Sequence, residues 1–503
     1  MSRASFDVLT EAWIPVIWEN GSRDDLGIQP CLEQAESILE IRHPSPLVEF
    51  GLYRLLTAFI LDALTWANAR PEIREDLETI SEDRQFDADL IRRYVRACGD
   101  VFDLFHPQRP FLQTRMDSKS TKPIVAMYPL IPSGTNTGHW HHQDESQVEI
   151  SSQEAAQWLV TMAPFMTAGG AGLSPAINGA PPIYVLPRGG TLFETIVINL
   201  PMRIDQESGG GAIAWRSTRT PGGERTQATA VEALTWQPRR IQLLPEPVEH
   251  GLPRVRRMKF EKGDRANLDW VDPSIAYRYT KEKRTPIRMR EGRPLWRDAG
   301  PFFLLQGSTH GRLEQRTVFS RPDVVEQALA CTEGNGTVVI QAYGMRTDLK
   351  MKVFEWVKAC WDVPARLGRL TRLGALAFHE LDRAEDAAYA LRIGIRTLFP
   401  GGRAGANNAL GSIADRCERA YWQGLERGFA PLMSAFADLD PDDAPNDPAL
   451  VAETASEWRQ AIERLAHGQF ESAAKDMDAD SDALERVVHA RARLTARIKK
   501  VIA

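Results

Sequence analysis

Apolar and polar residues partly alternate over FDVLTEAWIPVIWE, Phe6 to Glu19, which predicts an opening strand; Asn20-Gly21 then supplies a turn into a second short strand near Leu26. Leu32 to Ile41 and Pro46 to Ala67 instead carry helical spacing. In the second of these Phe50, Leu52, Leu55, Leu56, Phe59 and Ile60 make a wide apolar face. A third helix is expected over Ala88 to Phe105, stopped by the prolines of FHPQRPFLQ. SSQEAAQWLVTM reads as a capped helix, with Ser151 or Ser152 as N-cap and Glu154 placed to complete a capping box. PPIYVLPRGGTLFETIVINLP predicts a strand, a turn and a helix opening at Thr191, with Glu194 at its third position. Residues 204–226 are polar and glycine-rich, as a loop would be, and from Ala233 to Gln306 short apolar runs alternate with Arg-rich turns, as in a β-rich subdomain.

After about Val324 the pattern changes to long helical segments: Met351 to Asp362, Ala365 to Thr397, Asn407 to Ala437, Ala449 to Ala466 and Ser481 to Ile502. Short joints between long amphipathic helices are best buried as an antiparallel bundle. The expected fold is therefore α+β: a large mixed α/β N-terminal domain with a β-rich subdomain over 1–355, then a C-terminal antiparallel bundle of four or five long helices over 356–503.

The segment Ile131 to Pro182 fits this scheme least, because two loops flank its single helix. Ser133 to Glu145 brings Gly134, Asn136 and Gly138 beside His139, Trp140, His141 and His142, a loop able to present imidazole and aromatic groups to a ligand. Thr167 to Gly179 contains Gly169, Gly170 and Gly172, where the backbone can approach another chain without a Cβ in the way. A helix with such a loop at each end suits a surface that grips something extended.

At 503 residues and 43% hydrophobic content the chain can bury at least one large core, and its length suggests two to four domains. The net charge of −6 hides an asymmetry. Arg216 to Arg297 holds 19 Lys/Arg against 10 Asp/Glu, or +9, whereas Asp438 to Arg486 holds 4 against 14, or −10. Because charges are screened beyond about 10 Å, an anionic partner would feel the local field; an ordinary solvated surface is the alternative. Arg239, Arg240, Arg254, Arg256, Arg257, Lys259 and Lys262 are candidates to meet phosphates. Arg366, Arg369 and Arg372 recur every three residues, reading either as a solvated bundle face or as a groove for a nucleic-acid backbone.

Cys31, Cys98, Cys331, Cys360 and Cys417 are scattered without a CxxC pair, which argues against a disulfide scaffold or a structural zinc site and for a reducing cytoplasm. MSRASFDVLTEAWIP lacks the apolar run of a signal peptide, and no membrane span is expected. GxxxxGK[ST], GxSxG and HExxH motifs are missing, and no GxGxxG follows a strand. His139, His141 and His142 are open to three readings: a metal site, a hydrogen-bonding or stacking loop, or an ordinary exposed loop. His106 and Asp103 read better as a proline-pinned helix terminus than as an acid/base pair. Binding is thus favoured over catalysis, with a metal-dependent nuclease as the rival.

Six stretches, in order along nearly the whole chain, carry a family resemblance: FDVLTEAWIPV, DLFHPQRPFLQT, SGTNTGHWHH, RGGTLFETIVINL, LTWQPRRIQL and AYGMRTDLKMKVFEW. The chain resembles the CasA family, the large subunit of the type I-E CRISPR Cascade complex. The resemblance implies a large N-terminal α/β domain followed by a C-terminal antiparallel four-helix bundle, and a non-catalytic subunit, without cofactor or metal, that recognises a protospacer-adjacent motif from the minor groove of double-stranded DNA. It implies as partners the other Cascade subunits, a guide CRISPR RNA and a helicase-nuclease, and as activity the opening of the duplex into an R-loop. Residue by residue it assigns Gly169, Gly170, Ala171 and Gly172 to the glycine loop, Lys259 first and Lys262 second to the lysine finger, and His139 and His141 to the loop touching the motif. The wedge falls on Leu349 and Lys350, where the family often carries Gln.

Overall fold

The computed structural model describes residues 4–127, 148–169, 172–202, 211–246, 251–280, 283–304, 309–310, 317–347, 353–398, 408–475 and 481–503. Strand β1 (Ile14–Trp18) turns through Asn20, whose side chain accepts the Ser22 amide at 2.8 Å, into β2 (Arg23–Leu26). The expected hairpin is present. The expected helix over Leu32 to Ile41 is not: α1 spans only Ile28–Glu33, and ILEI, Ile38–Ile41, is strand β3 on the other edge of β1. Pairing with β1 places Ile38 and Ile41 in the core and overrides their helical spacing. Helix α2 (Pro46–Trp66) is buried along most of its length and forms the axis of the first core. Helix α3 (Ala88–Cys98) is shorter than expected, since Gly99 at φ 74° ends it before the prolines are reached. Helix α4 (Ser152–Leu159) has Ser151 as N-cap and Glu154 closing the capping box.

Strand β4 (Tyr184–Arg188) leads into α5 (Leu192–Ile198), capped by Thr191 as expected. Two long strands, β5 (Arg239–Glu246) and β6 (Arg254–Lys262), form an antiparallel pair, and β7 (Tyr277–Thr280), β8 (Lys283–Pro286) and β9 (Thr317–Ser320) belong to a separate sheet. Strand β10 (Thr337–Thr347) then pairs antiparallel with β4 and with β11 (Val353–Pro364).

That β11–β10–β4 sheet separates two hydrophobic cores. Strand alternation sends Tyr184, Leu186, Tyr343 and Met345 into the first, and Val185, Val338, Ile340 and Ala342 into the second. β11 corrects the helix expected over Met351 to Asp362. Its Val357, Ala359 and Trp361 pack on the second core, while Lys358 between them reaches Glu49 of α2 on the opposite face. Period two, not 3.6, is what this geometry requires.

After a one-turn helix, α6 (Ala365–Arg369), the chain enters α7 (Thr371–Thr397), α8 (Asn408–Ala437), α9 (Ser456–Ala474) and α10 (Ser481–Ile502), the long helices of the C-terminal region among the described residues. They pack on one another around α7. Inside this packing Glu380 of α7 accepts Arg459 of α9 at 2.6 and 3.0 Å. The Arg366, Arg369 and Arg372 stripe is not one helix face. The helix breaks at Leu370; Arg366 donates to the Ala437 carbonyl at 2.7 Å and Arg369 to those of Leu329 and Gly334 at 2.9 Å. These guanidiniums tie helices down instead of lining a groove.

Candidate nucleic-acid interface

The glycine loop is closed at its base and exposed at Gly172. Ala176 donates to the Met166 carbonyl at 2.8 Å and Gly169 to the Leu173 carbonyl at 3.2 Å, so the two flanks of the loop are tied together. Gly169 is buried, whereas Gly172 is exposed at φ +80°, with open space where a Cβ would project. That backbone conformation favours glycine. Gly170 and Ala171 lie outside the described residues, as do His139, His141, Leu349 and Lys350. The last two fall in the stretch that joins β10 and β11, whose register closes with Thr347 opposite Val353.

A buried arginine anchors the loop. Arg239, 3% exposed, donates to the Thr167 carbonyl at 2.8 Å and also to that of Ser174, binding both sides of the loop from β5. Burial pulls its pKa down to about 10, so it stays charged at neutral pH. Arg239, expected from the sequence to meet phosphates, is instead buried beneath the loop. Its position on the same strand face as buried Ile241 and Leu243 was the available signal, because alternation sends all three inward. Further along the loop, Asn178 donates to Asp272 at 3.0 Å, and Asp272 is paired at 2.8 Å with Arg54 of α2. The loop thus stands on two buried charged anchors.

The two candidate lysines are placed differently. In the β5–β6 register Lys259 faces Gln242 and Lys262 faces Arg239. Lys259 is half-buried, and its ammonium donates to the Met116 carbonyl. Lys262 is exposed and has no hydrogen bond or ion pair among the described residues. Through Arg239 the structure therefore brings Lys262, rather than Lys259, next to the loop's anchor. Gly263 fixes this junction: a Cβ there would sit 2.3 Å from the Gln237 carbonyl oxygen and 2.5 Å from the Arg239 nitrogen. Gly263→Ala is expected to force β5 and β6 apart at this end and lower stability by about 1–3 kcal/mol, the usual range for overpacking, as read by urea unfolding. An unchanged midpoint would show that the junction yields without loss.

Much of the basic segment is neutralised locally. Arg240 pairs with Glu261, Arg219 with Asp264, Arg256 with Glu149 at 2.9 Å and Arg293 with Asp298 at 3.0 Å. The sequence excess of cations is thus not a continuous field. His106 bonds Asp100 at 2.8 Å, while Asp103 accepts the amides of Phe6 and Phe105 at 3.0 Å, a structural role in keeping with the proline-pinned terminus. Among the described residues no cluster of His, Cys, Asp and Glu is arranged to hold a metal, and no helix is long and apolar enough to cross a membrane.

Residues 7–469 match the family described as CRISPR-associated protein Cse1. A CRISPR-associated protein CasA/Cse1 of Thermus thermophilus is 26% identical over 467 residues, covering 85% of this chain and 87% of that protein. Among solved structures, Cse1 from Acidimicrobium ferrooxidans superposes with a TM-score of 0.77 at 21% identity, covering 100% of this chain and 99% of its own. Thermobifida fusca Cse1 gives 0.76 at 20% identity, over 99% and 98%. A chain of a CRISPR RNA-guided surveillance complex gives 0.74 at 18% identity, over 98% and 100%.

Proposed function

Because the chain belongs to the CRISPR-associated protein Cse1 family, we propose that it is the large, non-catalytic subunit of a Cascade-type RNA-guided surveillance complex. In that assembly it reads the protospacer-adjacent motif of double-stranded target DNA from the minor groove, promotes opening of the duplex into an R-loop and helps recruit the helicase-nuclease. Its partners are the other subunits, the guide RNA they hold and the target.

The supporting observation is the exposed Gly172 tip, anchored through Arg239 to the strand end where Lys262 stands free among the described residues. A minor groove offers a narrow slot with a degenerate set of acceptors. A backbone without side chains fits such a slot, and one ammonium supplies charge against its acceptors and flanking phosphates. Lys262 is the first choice for that ammonium, since Lys259 must first release the Met116 carbonyl.

The test uses the chain assembled with its partner subunits and guide RNA. Gly172→Asp puts a Cβ and a negative charge at the tip and is expected to weaken binding of motif-bearing duplex on the order of tenfold to a hundredfold, the worth of about 1–3 kcal/mol of groove contact. Lys262→Ala is expected to lower the slope of log K against log salt by about 1. Wild-type binding by both variants would remove the assignment, and divalent-dependent DNA cleavage by the isolated chain would replace it with a nuclease.

A further inference from the structure

A cleft of about 1260 Å³ opens between the β7–β8 sheet and helices α7 and α10. Its floor is a closed lattice of charges. Arg293 holds Asp298 at 3.0 Å and Glu385 at 2.8 Å; Arg297 holds Glu385 at 2.6 Å with its guanidinium 3.7 Å from the centre of the Trp422 ring. These groups tie residues 293–298 to α7 and α8 and have little capacity left for a ligand. The walls are different. Arg278 and Arg290 on the sheet side, and Arg497 and Lys500 on α10, are exposed, and their side chains have no ion pair or hydrogen bond among the described residues.

Acidic groups on the α7 wall only partly offset them. Asp382 is already engaged, and Asp386 is exposed. On the α7 wall Tyr389 is 58% exposed, far more than an aromatic ring on a packed helix ordinarily shows. Four like charges that converge on one concave space repel one another, and a cleft concentrates their field. Their arrangement is explained by a ligand that carries several negative charges. The cleft also exceeds the roughly 300–1,000 Å³ of a small-molecule site, which favours a length of polymer. Cations on the sheet side and on α10, with an aromatic ring exposed on α7 in the same cleft, suit the phosphates and one unstacked base of a single strand.

We propose that this cleft binds an unpaired single-stranded segment of nucleic acid, with Arg278, Arg290, Arg497 and Lys500 on its phosphates and Tyr389 stacked on a base. The proposal shares no residue with the glycine loop, so either reading can fail alone. It is tested on the intact chain by fluorescence anisotropy with labelled oligothymidylate, oligouridylate of equal length and a blunt duplex, across a salt series. The single strands are expected to bind more tightly than the duplex, and a preference for one of them identifies DNA or RNA as the source. Arg497→Ala/Lys500→Ala, and separately Arg278→Ala/Arg290→Ala, should each lower the salt slope by about 1.4, or about 0.7 per cation removed. Tyr389→Ala should weaken binding by roughly tenfold, and Gly172→Asp should leave it unchanged. Three results overturn the proposal: an unaltered salt slope in both double variants, an equal loss for duplex and single strand, or displacement of the oligonucleotide by polyglutamate with Tyr389→Ala silent. The last would assign the cleft to an acidic protein segment.

Discussion

Arg54→Met is expected to destabilise the fold by about 3–5 kcal/mol, because it leaves the Asp272 carboxylate buried without a counter-charge. The Arg54 and Asp272 side chains are 4% and 0% exposed and meet at 2.8 Å. Arg54 also donates to the Leu234 carbonyl at 3.1 Å and the Ala233 carbonyl at 3.3 Å, which would lose their donor. Burial by itself would raise the Asp272 pKa. The Arg54 charge, with hydrogen bonds from Arg54, Asn178 and Ser274, outweighs it and holds the carboxyl below the usual aspartate range. In the wild type this carboxylate stabilises the fold above the unfolded-state value of about 3.9, and the contribution is lost as pH falls through the lower folded value. In Arg54→Met the sign reverses. An unpaired buried carboxyl titrates above its unfolded value, so the variant is penalised at neutral pH and recovers on acidification. Urea unfolding at neutral pH and near pH 5 should show the gap from wild type narrowing at the lower pH. Arg54→Met/Asp272→Asn should recover part of the loss at neutral pH, since the amide carries no charge. A gap below about 1 kcal/mol that ignores pH would show that water or another cation reaches Asp272.

Local chemistry was legible wherever it is decided by neighbours in sequence. The Asn20-Gly21 hairpin, the Ser151 and Thr191 caps and the long helices α7, α8 and α10 follow from capping and periodicity alone, whereas the single helix expected over Ala449 to Ala466 breaks at Ala455 into Pro448–Thr454 and Ser456–Ala474. Where the structure departs from the sequence pattern, distant partners decide the outcome. Ile38–Ile41 and Val353–Pro364 have enough apolar residues at helical spacing to read as helices, yet β1 and β10 recruit them into sheets. In β11 the alternation of Val357, Ala359, Trp361 and Val363 was present but masked by Phe354 and Trp356 on the opposite face, both of them exposed. The same limit applies at the candidate interface. Composition counts Arg239 as one more surface cation, because charge totals do not record which side of a strand a residue occupies. The sheet register supplies that record. The family resemblance, carried by six collinear stretches, needed no register and agrees with the match over residues 7–469.

Arg239→Lys is expected to impair binding of motif-bearing duplex as severely as Gly172→Asp, although it conserves charge and touches no DNA in the proposed arrangement. The guanidinium works here as a fork: one arm serves Thr167, the other serves Ser174 and Pro238, so a single planar group fixes both sides of the loop. An ammonium is a compact point donor and cannot span those carbonyls with the same geometry. Each buried carbonyl left unpaired costs about 1–3 kcal/mol, which the loop can relieve only by opening toward water. An opened loop no longer presents the Gly172 backbone in one conformation, and ordering it again at each encounter lowers the apparent affinity. Salt dependence separates this effect from a lost phosphate contact. Lys262→Ala should lower the salt slope by about 1, whereas Arg239→Lys should leave the slope at its wild-type value while affinity falls. Hydrogen exchange over 167–176 provides an independent reading, with faster exchange at the Gly169 and Ala176 amides in Arg239→Lys and unchanged exchange in Lys262→Ala. If Arg239→Lys instead lowered the slope and left those amides protected, Arg239 would be a phosphate ligand after all, and the clamp would have to be assigned elsewhere.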